Sequence, residues 1–274
     1  MKFCVIGYGS IGKRHTDILK NLYPNSSIDI IDPFLGYIQK PTGTYDVGLV
    51  CTTTSNHLEA AESLLDKCGL IFIEKPLHTS VEALRDKKSL FANSNIHVGC
   101  NIRYTGAIDS LKKIKDPIMV RVTAMSNLLK WRHDPDRKAY SFHKDLGGGV
   151  LMDFVHEPDY VYSLYGLPRT SLVLQNRLQE HVTVDSDDAC MMLWSYPDKF
   201  VSFCLSYGSE EYVRKIEVLT KDGKSETFHL VKEDIEKSYK RQWEDILTTG
   251  PKNSYLDCLE LYEKMLERKD VVNY

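Results

Sequence analysis

Four short segments of this chain combine residue types and spacings that suit chemistry. The first is Gly7-Tyr8-Gly9-Ser10-Ile11-Gly12, which follows the apolar run Phe3-Cys4-Val5-Ile6. Between a strand and a helix, the first glycine of such a loop allows a tight turn. The second lets backbone amides approach a pyrophosphate, and the third lets helix and strand pack closely. The start of the helix adds unpaired N–H groups and a partial positive charge. The second segment is Thr52-Thr53-Thr54-Ser55-Asn56-His57, whose hydroxyls suit a pyrophosphate or ribose lining; Ser55 or Asn56 equally suits a helix N-cap. The third, Glu74-Lys75-Pro76, places an ammonium at a strand end, where it can steady a developing alkoxide. The fourth runs from Gly147 to Tyr160 and carries Asp153, His156 and Asp159 at spacings of three. One helix face would then hold a histidine between two carboxylates, a general base tuned by its neighbours.

Asp32 follows Gly12 by 20 residues and closes the run Ile28-Asp29-Ile30-Ile31. An acid at that spacing accepts hydrogen bonds from adenosine ribose hydroxyls and repels a 2′-phosphate. It favours NAD, with NADP as the alternative; Asp32 also suits a turn before Pro33. Asp153 and His156 could be two metal ligands, but no Cys/His cluster completes a site, so no metal is expected.

The elements needed to position these groups are legible as a change of pattern. Strand-like runs at 2–7, 28–32, 47–51, 70–74 and 96–100 alternate with helical stretches near 10–22, 56–67 and 79–92. That alternation predicts a parallel sheet with helices on both faces. The link from Pro33 to Tyr45 is barely long enough for a helical crossover, so this half of the sheet is expected to be trimmed. Beyond residue 117 the pattern predicts a long strand over 118–128 and an irregular polar and aromatic stretch. A helix is then expected from about 149 to 165, with strands at 171–178, 188–195, 200–207 and 212–219. Val201, Phe203 and Leu205 alternate with Ser202, Cys204 and Ser206, a half-buried antiparallel pattern, and 221–224 reads as a hairpin turn. The expected fold class is a Rossmann α/β domain over 1–102 plus an α+β domain with an open, mainly antiparallel sheet over 103–274. The C-terminal helices, about 235–267, are expected to pack back on the first domain. An open sheet leaves a face to cover, and a second subunit is the expected cover.

At 274 residues, with net charge −3, 42% hydrophobic and 27% charged residues, the composition is that of an ordinary globular protein and disfavours nucleic-acid binding. The seven cysteines form no C-x-x-C pair and no framework, which fits a reducing cytoplasm. No apolar run is long enough to span a membrane.

Taken in order, Gly7–Gly12 with Arg14-His15, Thr52–His57, Glu74-Lys75-Pro76, Asn101-Ile102-Arg103-Tyr104 and Gly147–Asp159 resemble the Gfo/Idh/MocA (glucose–fructose oxidoreductase / inositol dehydrogenase) family. The stretch Lys130-Trp131-Arg132, Asp136-Arg137, Tyr140-Ser141 looks like a branch that occurs with bacterial surface-sugar and nonulosonic acid biosynthesis. The resemblance implies a cytoplasmic, homo-oligomeric, NAD(P)-dependent oxidoreductase acting on a sugar or sugar derivative. It also admits a non-catalytic NAD(P)-binding regulator or scaffold and an NAD-dependent glycosidase. By the same match Lys75 and His156 are the catalytic candidates, with Asp153 or Asp159 orienting His156. Gly7–Gly12, Asp32, Thr52, Thr53, Thr54, His57, Glu74 and Lys75 would face the cofactor. The Lys75–Pro76 bond corresponds to one that is often cis in the family. Arg103, Trp131, Arg132, Arg137 and Tyr140, with Asp159, would wall the substrate: aromatics stack on sugar faces and arginines grip anionic groups. Two departures stand out. Many members space the acid and histidine as D-x-x-x-H where this chain has Asp153-x-x-His156, and the chain is short between Asp32 and Tyr45.

Overall fold

A computed structural model describes residues 1–37, 40–131, 139–144, 146, 148–180 and 184–266, with Trp131 described by its backbone alone. By its internal contacts the chain divides into two units. One is Met1–Asn101 with Ser238–Leu259; the other is Ile102–Lys237 with the chain from Glu260 onward.

The first unit alternates as its periodicity predicts: β1 (Lys2–Ile6), α1 (Ser10–Leu22), β2 (Ser27–Ile31), β3 (Tyr45–Val50), α2 (His57–Glu62), β4 (Cys68–Glu74), α3 (Val81–Asp86), α4 (Lys88–Phe91) and β5 (Ile96–Gly99). The strands form one parallel sheet in the order β2-β1-β3-β4-β5. Phe3, Cys4 and Val5 are all fully buried, as in a strand covered on both faces. Between Pro33 and Tyr45 the described residues form only a 3-10 turn, Pro33–Leu35, so β2 is the sheet edge and the half-sheet is trimmed there. The expected helix over 79–92 divides in two at Lys87.

The second unit contains α5 (Gly106–Leu111), β6 (Pro117–Asn127), α6 (Leu128–Trp131), α7 (Val150–Asp153), α8 (His156–Tyr165), β7 (Thr170–Asn176), β8 (Ala189–Ser195), β9 (Phe200–Ser206), β10 (Gly208–Thr220) and β11 (Ser225–His229). Its six-stranded sheet has the order β11-β10-β6-β9-β8-β7, and only the β6–β9 pair is parallel. Val201, Phe203 and Leu205 are buried while their strand neighbours face outward, as the alternation requires. On the outward face Leu172 pairs with Leu193, Leu174 with Met191, and Met119 with Phe200, all six exposed.

The last elements among the described residues are α9 (Lys232–Thr249) and α10 (Tyr255–Leu266). Residues 238–259 belong to the first unit. There Trp243 and Ile246 pack with Phe3, Val5, Leu19, Val47, Leu49 and Phe72 in one core cluster. Fully burying a large side chain stabilises by about 1.5–3 kcal/mol, so this returning helix is an integral part of that core. The Asn253 carbonyl accepts from the Val98 amide at 2.8 Å, and its side chain donates back to the Val98 carbonyl at 3.0 Å, covering the β5 edge.

Candidate active site

In a parallel sheet of this order, β1 and β3 diverge toward helices on opposite sides, and the crevice at their carboxyl ends is where ligands of such sheets bind. The loops there are built by close approach. Gly7 has φ +90°, and a Cβ on it would lie 2.6 Å from the Cys51 carbonyl oxygen. A Cβ on Gly12 would collide with the Gly7 carbonyl. A Cβ on Gly9, by contrast, would meet nothing within 4 Å. The loop is therefore closed where strand meets helix and open at the position through which a pyrophosphate would be approached, at the N-cap of α1. These residues fit a dinucleotide.

Asp32 serves as a turn residue and remains suited to a ribose. One carboxylate oxygen accepts the Tyr8 amide at 2.8 Å and the other caps the 3-10 turn through the Leu35 amide at 3.2 Å. Each oxygen has a further lone pair for a hydroxyl. Beyond β3, Thr52 is half-buried, Thr53 is exposed and Thr54 is buried. Neither Thr53, at the head of the 3-10 turn, nor Asn56, at the head of α2, makes a side-chain cap bond, so the capping alternative for Asn56 is not realised.

His57 is buried with Nδ1 2.9 Å from the Pro76 carbonyl oxygen and Nε2 3.1 Å from that of Thr52. The ring ties the β3 loop to the turn after β4 rather than turning a nitrogen outward. Burial lowers its pKa below the ordinary value, against the opposing pull of the carbonyls and of Glu74. Cys51 supplies no thiolate: burial first, then the Glu74 charge, push its pKa well above the usual range.

Glu74 ends β4, buried, and the Lys75–Pro76 bond that follows is cis. Its Oε1 is 2.8 Å from His15 Nε2, and its Oε2 accepts the Lys75 amide at 3.1 Å. Lys75 is half-buried at the carboxyl end of the sheet.

In the second unit the predicted helix over 149–165 is broken. Phe154 (φ −96°, ψ 29°) ends α7, and His156 opens α8. Asp153 therefore sits in a separate short helix from His156 and Asp159, and spacing alone does not place the three on one face. The Asp153 carboxylate accepts the Tyr140 hydroxyl at 2.5 Å and the Tyr207 hydroxyl at 2.6 Å. Asp159 forms a two-pronged pair with Arg103, at 2.6 and 2.7 Å. Glu157 does the same with Arg214, at 2.6 and 2.9 Å. Burial pulls the Arg214 pKa down, but the Glu157 charge and hydrogen bonds outweigh it and the net shift is upward. The three carboxylates nearest His156 in sequence, Asp153, Glu157 and Asp159, are thus each held by a named partner. Of the expected substrate wall, Arg103 is engaged with Asp159 and Tyr140 with Asp153. Arg132 and Arg137 lie outside the described residues, as does the side chain of Trp131.

Sequence reasoning missed Tyr207, Arg214 and Trp243. No local spacing announces them, because each meets its partner across more than 50 residues of chain. Among the described residues no group of three His, Cys, Asp or Glu could hold a metal, and no helix is long and apolar enough to cross a membrane.

No family model matches the chain, and no curated protein matches it. Solved structures do. A myo-inositol dehydrogenase from Corynebacterium glutamicum superimposes with a TM-score of 0.79 at 13% identity, covering 96% of this chain and 93% of its own. A putative myo-inositol dehydrogenase from Sinorhizobium meliloti gives 0.71 at 18% identity, over 95% and 94%. The WlbA dehydrogenase from Bordetella pertussis, in complex with NADH and UDP-GlcNAcA, gives 0.75 at 14% identity, over 95% and 92%. At these identities the likeness is one of fold, and it agrees with the resemblance to the Gfo/Idh/MocA family. The chain thus has the fold of myo-inositol dehydrogenases and related oxidoreductases over nearly its whole length.

Proposed function

We propose that this protein is an NAD-dependent dehydrogenase or reductase acting on a CH–OH group of a sugar or sugar derivative, with NADP as the less favoured cofactor. The observation that carries this is the glycine loop: closed at Gly7 and Gly12, open at Gly9, and flanked by Asp32 in a turn that any 2′-phosphate would approach against a carboxylate. Gly7–Gly12 would hold the pyrophosphate, Asp32 the adenosine ribose, and Thr52–Thr54 the second ribose. NAD, when bound, would supply the acceptor for a hydride from the carbinol carbon. The chain's own residues handle the rest. His156 takes the hydroxyl proton, and the Lys75 ammonium steadies the oxygen as negative charge grows on it. Asp153, fixed by two phenol hydroxyls, and Asp159, fixed by Arg103, are the acids on either side of His156 in sequence, and one or the other would orient it.

The fold neighbours include an enzyme bound to NADH and UDP-GlcNAcA and an oxidoreductase from Agrobacterium radiobacter bound to NAD+ and L-tartaric acid, which supports an amino or nucleotide-linked sugar, or a small hydroxy acid, as the substrate class. The seven free thiols support a reducing cytoplasm. The apolar outward face of β7, β8, β9 and β6 supports a homo-oligomer formed through that sheet, to be read by light scattering. The test is incubation with NAD and a panel of polyols, uronates and nucleotide-linked sugars, following NADH formation. Turnover that disappears in Lys75→Ala and His156→Ala while NADH still binds supports the reading; near-normal turnover in both variants overturns it.

A further inference from the structure

His15 is a fully buried histidine whose two nitrogens can be assigned from their partners. Nδ1 lies 2.8 Å from Trp243 Nε1, and Nε2 lies 2.8 Å from Glu74 Oε1. An indole nitrogen only donates, so Nδ1 accepts and the ring hydrogen sits on Nε2, where it is donated to Glu74. The other Glu74 oxygen accepts the Lys75 amide at 3.1 Å. Phe72, Tyr239 and Trp243 surround the imidazole, with ring centroids 5.0, 5.7 and 5.6 Å away. A hydrogen-bonded path thus runs from α9 through α1 to the turn after β4, all within the first unit.

We propose that His15 and Trp243 are positioning residues for the Glu74–Lys75 turn. The indole N–H sets the tautomer of His15, and that tautomer holds the Glu74 carboxylate against the Lys75 amide. The proposal rests on the reading of Lys75 as a residue of the cofactor and substrate site. Three observations lead to it. A buried carboxylate is costly without donors, and Glu74 has two. A site among three aromatic rings would be filled as well by an apolar ring; only the path to Glu74 accounts for both nitrogens. A hydrogen on Nδ1 would face the indole N–H, so His15 serves as a strut and not as a base.

The experiment uses the intact protein with two readouts: the His15 tautomer by long-range proton–nitrogen NMR, and trinitrobenzenesulfonate labelling of Lys75 with and without NADH, read by peptide mass spectrometry. Wild-type protein should show His15 as the Nε2–H form, and NADH should slow labelling of Lys75. His15→Gln, whose amide can donate from the Nε2 position, should keep that protection. His15→Ala should lose about tenfold of it, a charged hydrogen bond's worth, while still binding NADH. His15→Ala that binds NADH and protects Lys75 as wild type does would overturn the proposal, as would a wild-type Nδ1–H tautomer. If His15→Ala does not fold, Trp243→Phe decides: mixed tautomers and weakened protection support the proposal, and an unchanged Nε2–H form with full protection overturns it. Wild-type protein that binds no NADH overturns the cofactor reading and this proposal with it. Wild-type protein that binds NADH yet leaves Lys75 unprotected overturns the placement of Lys75 alone, and the positioning role falls with that placement.

Discussion

The glycine loop after β1 and the helix pair α7–α8 were both visible as motifs, yet they fold by different logic. In the loop the chemistry belongs to the backbone. Gly7 and Gly12 are required by close approach and Gly9 stands open, so residue type and spacing alone specify the shape. In the helix pair the chemistry belongs to side chains, and their roles are decided by distant partners. Asp159 meets Arg103, Asp153 meets Tyr140 and Tyr207, and Glu157 meets Arg214. Spacing in a helix says which residues can share a face; it does not say what that face will meet.

This contrast can be broken or sharpened by mutation. The largest effect is expected from Arg103→Ala, which strands the buried Asp159 carboxylate and should cost about 3–5 kcal/mol in denaturant unfolding. A substrate-gripping Arg103 would instead leave stability unchanged and raise KM. Gly12→Ala comes next. Its Cβ collides with the Gly7 carbonyl, so overpacking should cost about 1–3 kcal/mol and NADH binding should be lost with it. Asp153→Asn should lose about 1–2 kcal/mol, because one of the two phenol hydroxyls loses its acceptor to an NH2 group and the other keeps only a neutral one. Gly9→Ala should leave stability alone but weaken NADH about tenfold by filling the open approach, a result that separates binding from folding inside one loop. A Gly9→Ala protein that binds NADH like wild type would contradict the placement of the pyrophosphate.

The smallest effect is a pH dependence. The folded pKa of His57 is lowered by burial, so as pH falls below about 6.5 the unfolded chain takes up a proton before the folded one does. Stability is complete above that pH and declines through the window down to the lowered value. His57→Asn should flatten this acid limb in thermal unfolding. An unchanged limb would assign it to other groups, with His78, also lowered by burial, the first to test.

Much of the first unit was legible because its strands are apolar on both faces and its turns need glycine. The five predicted strands each overlap an observed one, and the trimming after Asp32 followed from the length of the link alone. The return of α9 was expected only as a region. That Trp243 would enter the core and meet His15 required the three-dimensional path of 228 residues between them. In the second unit the alternation of β9 was readable, whereas its parallel pairing with β6 depends on the order in which strands are laid down. The break at Phe154 escaped because no proline or glycine marks it; Pro158 falls inside α8 instead, in its first turn, where a proline is tolerated.

The central claim is that the β1–β3 crevice holds NAD. Titrating the purified protein with NADH and with NADPH, following tryptophan quenching, tests it most directly. Saturable NADH binding about tenfold tighter than NADPH, with the preference lost in Asp32→Ala, is the predicted result. Absence of saturable binding by either nucleotide would contradict the account, whatever the likeness of fold.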